Sequence, residues 1–344
     1  MMQSHVWQRL FALETRDGVE TWHRRLFSRD IGARRALEIT SAAKQSREFF
    51  RNAQGSNDSV RALLGFYGVA SLSRAALLLL SPGQGEEAMT PGHGLSAIDW
   101  RSTLTSDVAV ALSSLEKLKI ETCNGLFSDF LSRTENLACM HVHSENVDWR
   151  LTYNLPPVGS VVTLGDLLSR LPDLADYLPP SIQRRSAWCG NMRFSAEAGF
   201  NARVLADSFA AFAERYRALG YVVEDVQAGD VQISCDYDTF KSHTALFTHT
   251  YLKKMIRIPG LFISEPFEGE LELSQIAMTY MLSYFLGMLT RYFPGPWVAL
   301  ASGAKGDEVW PAINAAQKYI EASFPELVLE LILDRIAERD RAKT

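Results

Sequence analysis

The sequence predicts an α+β protein that is mainly helical, in which N- and C-terminal helices pack as one bundle around an inserted antiparallel α+β region. Three observations predict it. Val60 to Leu80 and Leu273 to Tyr292 are apolar nearly all round at the helical period, which marks helices packed by neighbours on every side. Between them, Tyr221 to Val226, Val231 to Tyr237, Ala245 to Tyr251 and Met255 to Ile263 read as strands. These follow one another without helices between them, so their sheet should be antiparallel. The outer segments repeat an amphipathic helical pattern. The organisation expected is therefore 1–135 helical, 136–268 inserted α+β, and 269–344 helical and packed back on the first part.

Taken in order, residues 1–55 place Trp7, Leu10 and Phe11, then Val19, Trp22 and Leu26, then Phe49 and Phe50 on apolar faces. The arginine pairs Arg24-Arg25 and Arg34-Arg35 read as solvated faces. QGSNDS at 54–59 is a loop offering Asp58 or Ser59 as N-cap of the long apolar helix. Within that helix Gly65 and Gly68 lower helix propensity, which predicts close approach of another backbone. Arg74 on such a helix must reach solvent or meet a carboxylate such as Asp99 or Asp107. A Gly/Pro-rich turn then closes at His93-Gly94, read as a loop. A short element ends near Lys119, and Cys123-Asn124-Gly125 makes either a hairpin turn or a helix cap.

After Arg133, Cys139 to Val142 and Val147 to Tyr153 alternate as strands do. Pro156, Pro157 and Gly159 break the chain before the helix GDLLSRLPDL, and Asn201 to Leu219 reads as an amphipathic helix ended by Gly220. In the last part Ser274 stands near the start of its long helix, Pro294 to Pro296 end it, and Leu327 to Ile336 is a further apolar helix with a fraying tail.

A formal net charge of −5 excludes a generally basic nucleic-acid binder, so any RNA contact must be local. The four cysteines, Cys123, Cys139, Cys189 and Cys235, have no metal-ligand spacing and read as thiols of a reducing compartment. The N-terminus lacks a signal-peptide pattern. Ala75 to Leu80 and Ile276 to Leu289 fall short of the roughly 20 residues a membrane span needs. A soluble, cytoplasmic protein is expected.

The phrases LLGFYGVASLSRAALLLLSPG, His93-Gly94, LEKLKIETCNGLFSDF, TLGDLLSRLPDL and MLSYFLGMLTRYFPGPWVAL, in that order, resemble the YaaC-like family of bacterial proteins. The similarity spans roughly residues 60 to 330 and implies no particular reaction. A more distant resemblance is to HEPN domains, helical bundles in which an aromatic-rich helix precedes a loop with a histidine. It implies a HEPN-like helical bundle here, and a role as a ribonuclease, a toxin partner in bacterial defence, or a nucleotide-binding or partner-binding protein. The ribonuclease branch separates Arg and His by four to six residues; Arg74 lies far from His93, and Arg133 precedes His141 with seven between.

His93 is the leading candidate, either as a general acid/base or as a histidine hydrogen-bonded to a helix end. Arg74 holds an anion beside it or pairs with a carboxylate. Lys117, Lys119 and Asn124 extend that surface, or are simply solvated. Tyr67 joins the ligand-binding set, and the resemblance adds Arg291 at the end of the C-terminal aromatic helix. His141 and His143 alternate on a predicted strand, but a metal would need Glu145 and His243 or His249 to arrive through the fold, so no metal is predicted. No G-x-S-x-G elbow and no Gly-rich phosphate loop occurs, and no cofactor is expected.

The function expected is a non-catalytic binding or effector-partner protein of a bacterial stress or phage-defence pathway, holding RNA or a nucleotide near Arg74 and His93. The alternative is a divergent, metal-independent HEPN-like endoribonuclease using His93 with Arg74 or Arg101. Expected partners are another protein or a second copy, with RNA or a nucleotide, and no membrane.

Overall fold

The computed structural model describes residues 4–137, 152–205, 213–226, 230–243, 247–255 and 258–342. The chain opens with α1 (Ser4–Leu10), α2 (Arg16–Phe27) and α3 (Ala33–Gly55), and then α4 (Asp58–Leu80). Thr15 caps α2 by accepting the Gly18 N–H at 3.2 Å. Asn57, rather than Asp58 or Ser59, is the N-cap residue of α4, and Asp58 opens its first turn. At the other end Arg35 is not a solvated arginine: its Nη2 donates to the carbonyls of Leu78 at 2.9 Å and Ser81 at 2.6 Å, satisfying orphan groups of the helix terminus. Arg24, Arg25 and Arg34 do lie in solvent, paired to Asp30, Asp340 and Glu38.

The next segment departs from the helical reading. β1 (His93–Ile98) and, beyond α5 (Trp100–Leu104) and α6 (Val108–Leu112), β2 (Lys119–Gly125) pair antiparallel, with His93 opposite Gly125 and Ile98 opposite Lys119. His93 therefore begins a strand rather than lying in a loop. α7 (Leu126–Thr134) follows directly, with Gly125 as its N-cap, so Asn124-Gly125 is not a hairpin turn. β3 (Val161–Thr163) completes a three-stranded sheet in the order β1-β2-β3, and α8 (Leu164–Arg170) packs its leucines into the helical core. Thr163 and Asp166 form the capping box of α8.

A six-stranded antiparallel sheet follows: β4 (Ser186–Ser195), β5 (Gly199–Leu205), then, after α9 (Ala213–Ala218), β6 (Val222–Asp225) and β7 (Asp230–Cys235), and, after α10 (Tyr237–Ser242), β8 (Phe247–Met255) and β9 (Ile258–Ser264). Its spatial order is β6-β7-β5-β4-β9-β8. The helix read over Asn201 to Leu219 is corrected: 201–205 is strand, and among the described residues the helix covers Ala213–Ala218. Phe200, Ala202 and Val204 are buried while Asn201, Arg203 and Leu205 are exposed, a period of two. β4 had not been anticipated. The strands read over Cys139 to Val142 and Val147 to Tyr153 lie largely outside the described residues, which retain an antiparallel bridge between Leu137 and Thr152.

The chain returns to the helical part with α11 (Gln275–Tyr292), α12 (Pro294–Ala301) and α13 (Trp310–Arg341). Ser274 caps α11 by accepting the Ala277 N–H at 3.3 Å. The expected fraying of the tail is corrected: α13 continues to Arg341, with Ile336 1% exposed and Asp340 bound to Arg25. α4 packs against α3, α7, α11, α12 and α13. By length and composition it is apolar enough to cross a membrane, and 72% of its apolar window is buried inside protein. Two cores result: a large one built by the helices and the small sheet, and a second between 187 and 263 inside the six-stranded sheet. Asn136, fully buried with φ 47°, ties segments of the helical part together: its amide donates to the carbonyls of Asn154 and Glu272 and accepts the Ser274 N–H at 3.1 Å.

Candidate functional site

Two glycines set the position of His93. Gly94 (φ 78°) and Gly125 (φ 148°) lie back to back where β1 meets the start of α7; a Cβ on Gly125 would lie 2.4 Å from the Gly94 nitrogen. Only glycine permits both the torsions and the approach. Leu126 N–H then donates to Gly92 O at 3.0 Å, and the Tyr280 hydroxyl donates to His93 O at 3.4 Å. The imidazole is thereby held against α4 and α11, edge-on to Phe66 at 5.1 Å between ring centroids and 6.1 Å from Tyr284. Phe66 in turn packs over Gly287 of α11, where a Cβ would come within 2.7 Å of it.

The electrostatics follow from this placement. Burial first, and then the nearby Arg291 charge, lowers the His93 pKa, so the ring is neutral at neutral pH. Burial pushes the Tyr284 phenol up to about 12, so it stays protonated and able to donate. Arg291, exposed at the end of α11, donates to the Tyr67 hydroxyl at 3.2 Å and lies 5.0 Å from the centroid of the Tyr292 ring. It forms no ion pair with a carboxylate among the described residues. Tyr67 also packs against Phe49 at 5.4 Å.

Arg74 stands seven residues after Tyr67, hence on the same face of α4 and about 10 Å further along its axis. Its partner is Glu86, at 3.5 Å, and not Asp99 or Asp107; Asp107 instead caps α6. The guanidinium is half exposed, and its charge acts on the Tyr280 hydroxyl that holds the His93 carbonyl. Asn124 is exposed next to Gly125, at the same end of the strand pair as His93. The fold thus assembles His93, Tyr67 and Arg291, with Asn124 and Arg74 at the margin.

Arg101, Lys117 and Lys119 do not join them. Lys119 faces Ile98, five residues from His93 along β1, about 17 Å of strand. Lys117 stands two residues before β2, and Arg101 follows β1, so both stand at that far end. Pairing His93 with Arg101 is therefore corrected. Arg16 and His23 do stand at the HEPN-nuclease spacing, with six residues between them. However, Arg16 is exposed and bound to Glu20 at 2.6 Å, whereas His23 is fully buried with Nδ1 on the Arg29 carbonyl, so α2 carries no such site.

His141, His143 and Glu145 lie outside the described residues. Among the described residues no three His, Cys, Asp or Glu side chains are gathered as metal ligands. The contributions of Phe66, Tyr280 and Tyr284 were missed as site residues. Their signal was present, since Tyr280, Tyr284 and Arg291 recur on one face of α11 at spacings of four and seven. That pattern is equally the pattern of core.

No curated protein and no solved structure matches the chain. A family profile described as YaaC-like Protein matches residues 19–332, reaching further toward the N-terminus than the phrases quoted above, and the chain belongs to that family.

Proposed function

We propose that the protein is a non-catalytic binding module whose ligand is a phosphate-bearing anion, a nucleotide or an RNA segment, held at His93, Tyr67 and Arg291. One observation carries the reading. Arg291 presents a guanidinium at the surface with a tyrosine hydroxyl and no carboxylate partner among the described residues. Arginine in that state offers a planar, two-pronged donor to phosphate. Tyr67, Phe49 and Tyr292 supply ring faces beside it for a base. Arg74, loosely held by Glu86, adds a second cation along the same helix face. Neutral His93 serves as a hydrogen-bonding group, and among the described residues no carboxylate is bonded to its ring to orient it for proton transfer.

The test is a binding titration at low salt with mononucleotides and a short single-stranded RNA. Arg291→Ala should weaken binding about tenfold and lower the salt slope by about 0.7, one phosphate contact on a single strand. Absence of binding at low salt would sink the reading. RNA cleavage abolished by His93→Ala would replace it with the ribonuclease.

A further inference from the structure

Four tyrosines are buried in the large core: Tyr251, Tyr280, Tyr284 and Tyr319. A buried phenol normally finds a hydrogen-bond partner, because a stranded hydroxyl loses its water and gains nothing in exchange. Three of the four obey this. The Tyr251 hydroxyl donates to Glu330 at 2.9 Å, that of Tyr280 donates to His93 O, and that of Tyr319 accepts from Thr279 at 3.4 Å. Tyr284 is 6% exposed, and its hydroxyl has no partner among the described residues. Phenylalanine would fill the same space without the polar atom, so the hydroxyl does nothing for the fold.

The imidazole of His93 is in the same condition, with no partner for its ring nitrogens among the described residues. Phe66 holds the two rings in place, edge-on to His93 at 5.1 Å and to Tyr284 at 5.6 Å, and His93 and Tyr284 stand 6.1 Å apart between centroids. Their polar atoms reach the surface rather than being sealed in the core. The protonated phenol offers an O–H, and the neutral imidazole offers one N–H and one bare nitrogen. Such a pair suits an uncharged group that both donates and accepts. A phosphate is better served by Arg291.

On α11 Tyr284 precedes Arg291 by seven residues, about 10 Å of helix axis, and the Arg291 charge is felt at His93. With phosphate on Arg291 and a base on the ring faces of Tyr67 and Tyr292, the sugar between them falls toward Tyr284 and His93. In a nucleic-acid strand the 3′ oxygen is esterified, which leaves the 2′-hydroxyl of RNA, at once donor and acceptor. We infer that Tyr284 and His93 together bind the ribose 2′-hydroxyl, so that this site selects RNA over single-stranded DNA. The inference rests on the nucleotide-binding reading of Arg291.

The test titrates short oligoadenylates with ribose, deoxyribose and 2′-fluororibose sugars into the full chain at low salt. Fluorine keeps the sugar pucker of RNA and removes the O–H. Wild type should bind the ribose strand about fivefold tighter than either of the others, the effect of one hydrogen-bonded hydroxyl. Tyr284→Phe deletes only the unpartnered oxygen, so its melting temperature should hold while its preference for ribose falls toward parity. Arg291→Ala should weaken the ribose and deoxyribose strands alike and keep their ratio. Equal affinity of wild type for the ribose and deoxyribose strands, equal affinity for the ribose and fluororibose strands, or a preference that survives Tyr284→Phe each overturns this inference and leaves the Arg291 site standing. Failure of all three strands to bind overturns both.

Discussion

Gly65 and Gly68 sit one turn apart in the middle of α4, and alanine at the two positions should act in opposite directions. At Gly65 an added Cβ meets nothing within 4 Å, so Gly65→Ala gains about 1 kcal/mol of helix propensity and unfolded-state entropy at no steric cost. At Gly68 the added Cβ would lie 2.9–3.0 Å from three atoms of the Phe50 ring. That ring is fully buried and backed by Trp7 at 5.7 Å, so it has little room to retreat. Overpacking of this kind costs about 1–3 kcal/mol, more than the propensity gain, leaving Gly68→Ala destabilised by about 1 kcal/mol. The two variants should therefore differ by about 2 kcal/mol, or roughly 4 °C in melting temperature. Urea unfolding of wild type and both variants measures this directly. A destabilised Gly65→Ala, or a Gly68→Ala indistinguishable from it, would refute the packing argument. The structure also corrects the expectation for these residues: Gly68 makes room for a ring rather than another backbone, and Gly65 for neither.

Further outcomes follow from the same geometry. Gly125→Ala combines a torsion open essentially only to glycine with a 2.4 Å overlap on backbone, so it should cost about 3 kcal/mol or more in urea unfolding and broaden the His93 ring signals in NMR. Arg61 and Glu321 form a two-pronged pair at 2.6 and 2.7 Å with Glu321 5% exposed; Glu321→Ala strands the guanidinium and should cost about 3 kcal/mol by the same assay. His23, His93 and His243 all have pKa values lowered by burial, so the unfolded chain takes up their protons first as pH falls. Their contribution to stability is complete above the unfolded value of about 6.5 and is lost as pH drops below it toward the folded values. Urea midpoints at pH 7.5 and 5.5 should show the decline, and His23→Gln should reduce it.

The sequence by itself determined the elements whose signal is periodic and long. α4 and α11 are apolar on every side, and a helix with no polar face has only the interior to occupy. The strands from Val222 to Ser264 were legible for the same reason, since β-branched and aromatic residues fit a pleated surface. The sequence also supplied the family, because the quoted phrases recur in order. Tertiary structure decided the rest. Asn201 to Leu205 carries apolar residues compatible with either period, and pairing with β4 and β7 selected the strand. β1 (HGLSAI) and β2 (KIETCNG) carry few β-branched and no large aromatic residues, so their strand signal is weak, and Gly94 and Gly125 allow the close approach where the two meet. Tyr67 and Arg291 are far apart in the chain and meet only because α4 and α11 pack side by side, and β1 lays His93 against both helices. Arg101 and Lys119 looked equally eligible as a list of cations, and the antiparallel register carried them to the opposite end of the sheet. Residue type limits what chemistry is available; which groups share a site is fixed by contacts between distant segments, and those depend on the packing of the whole core.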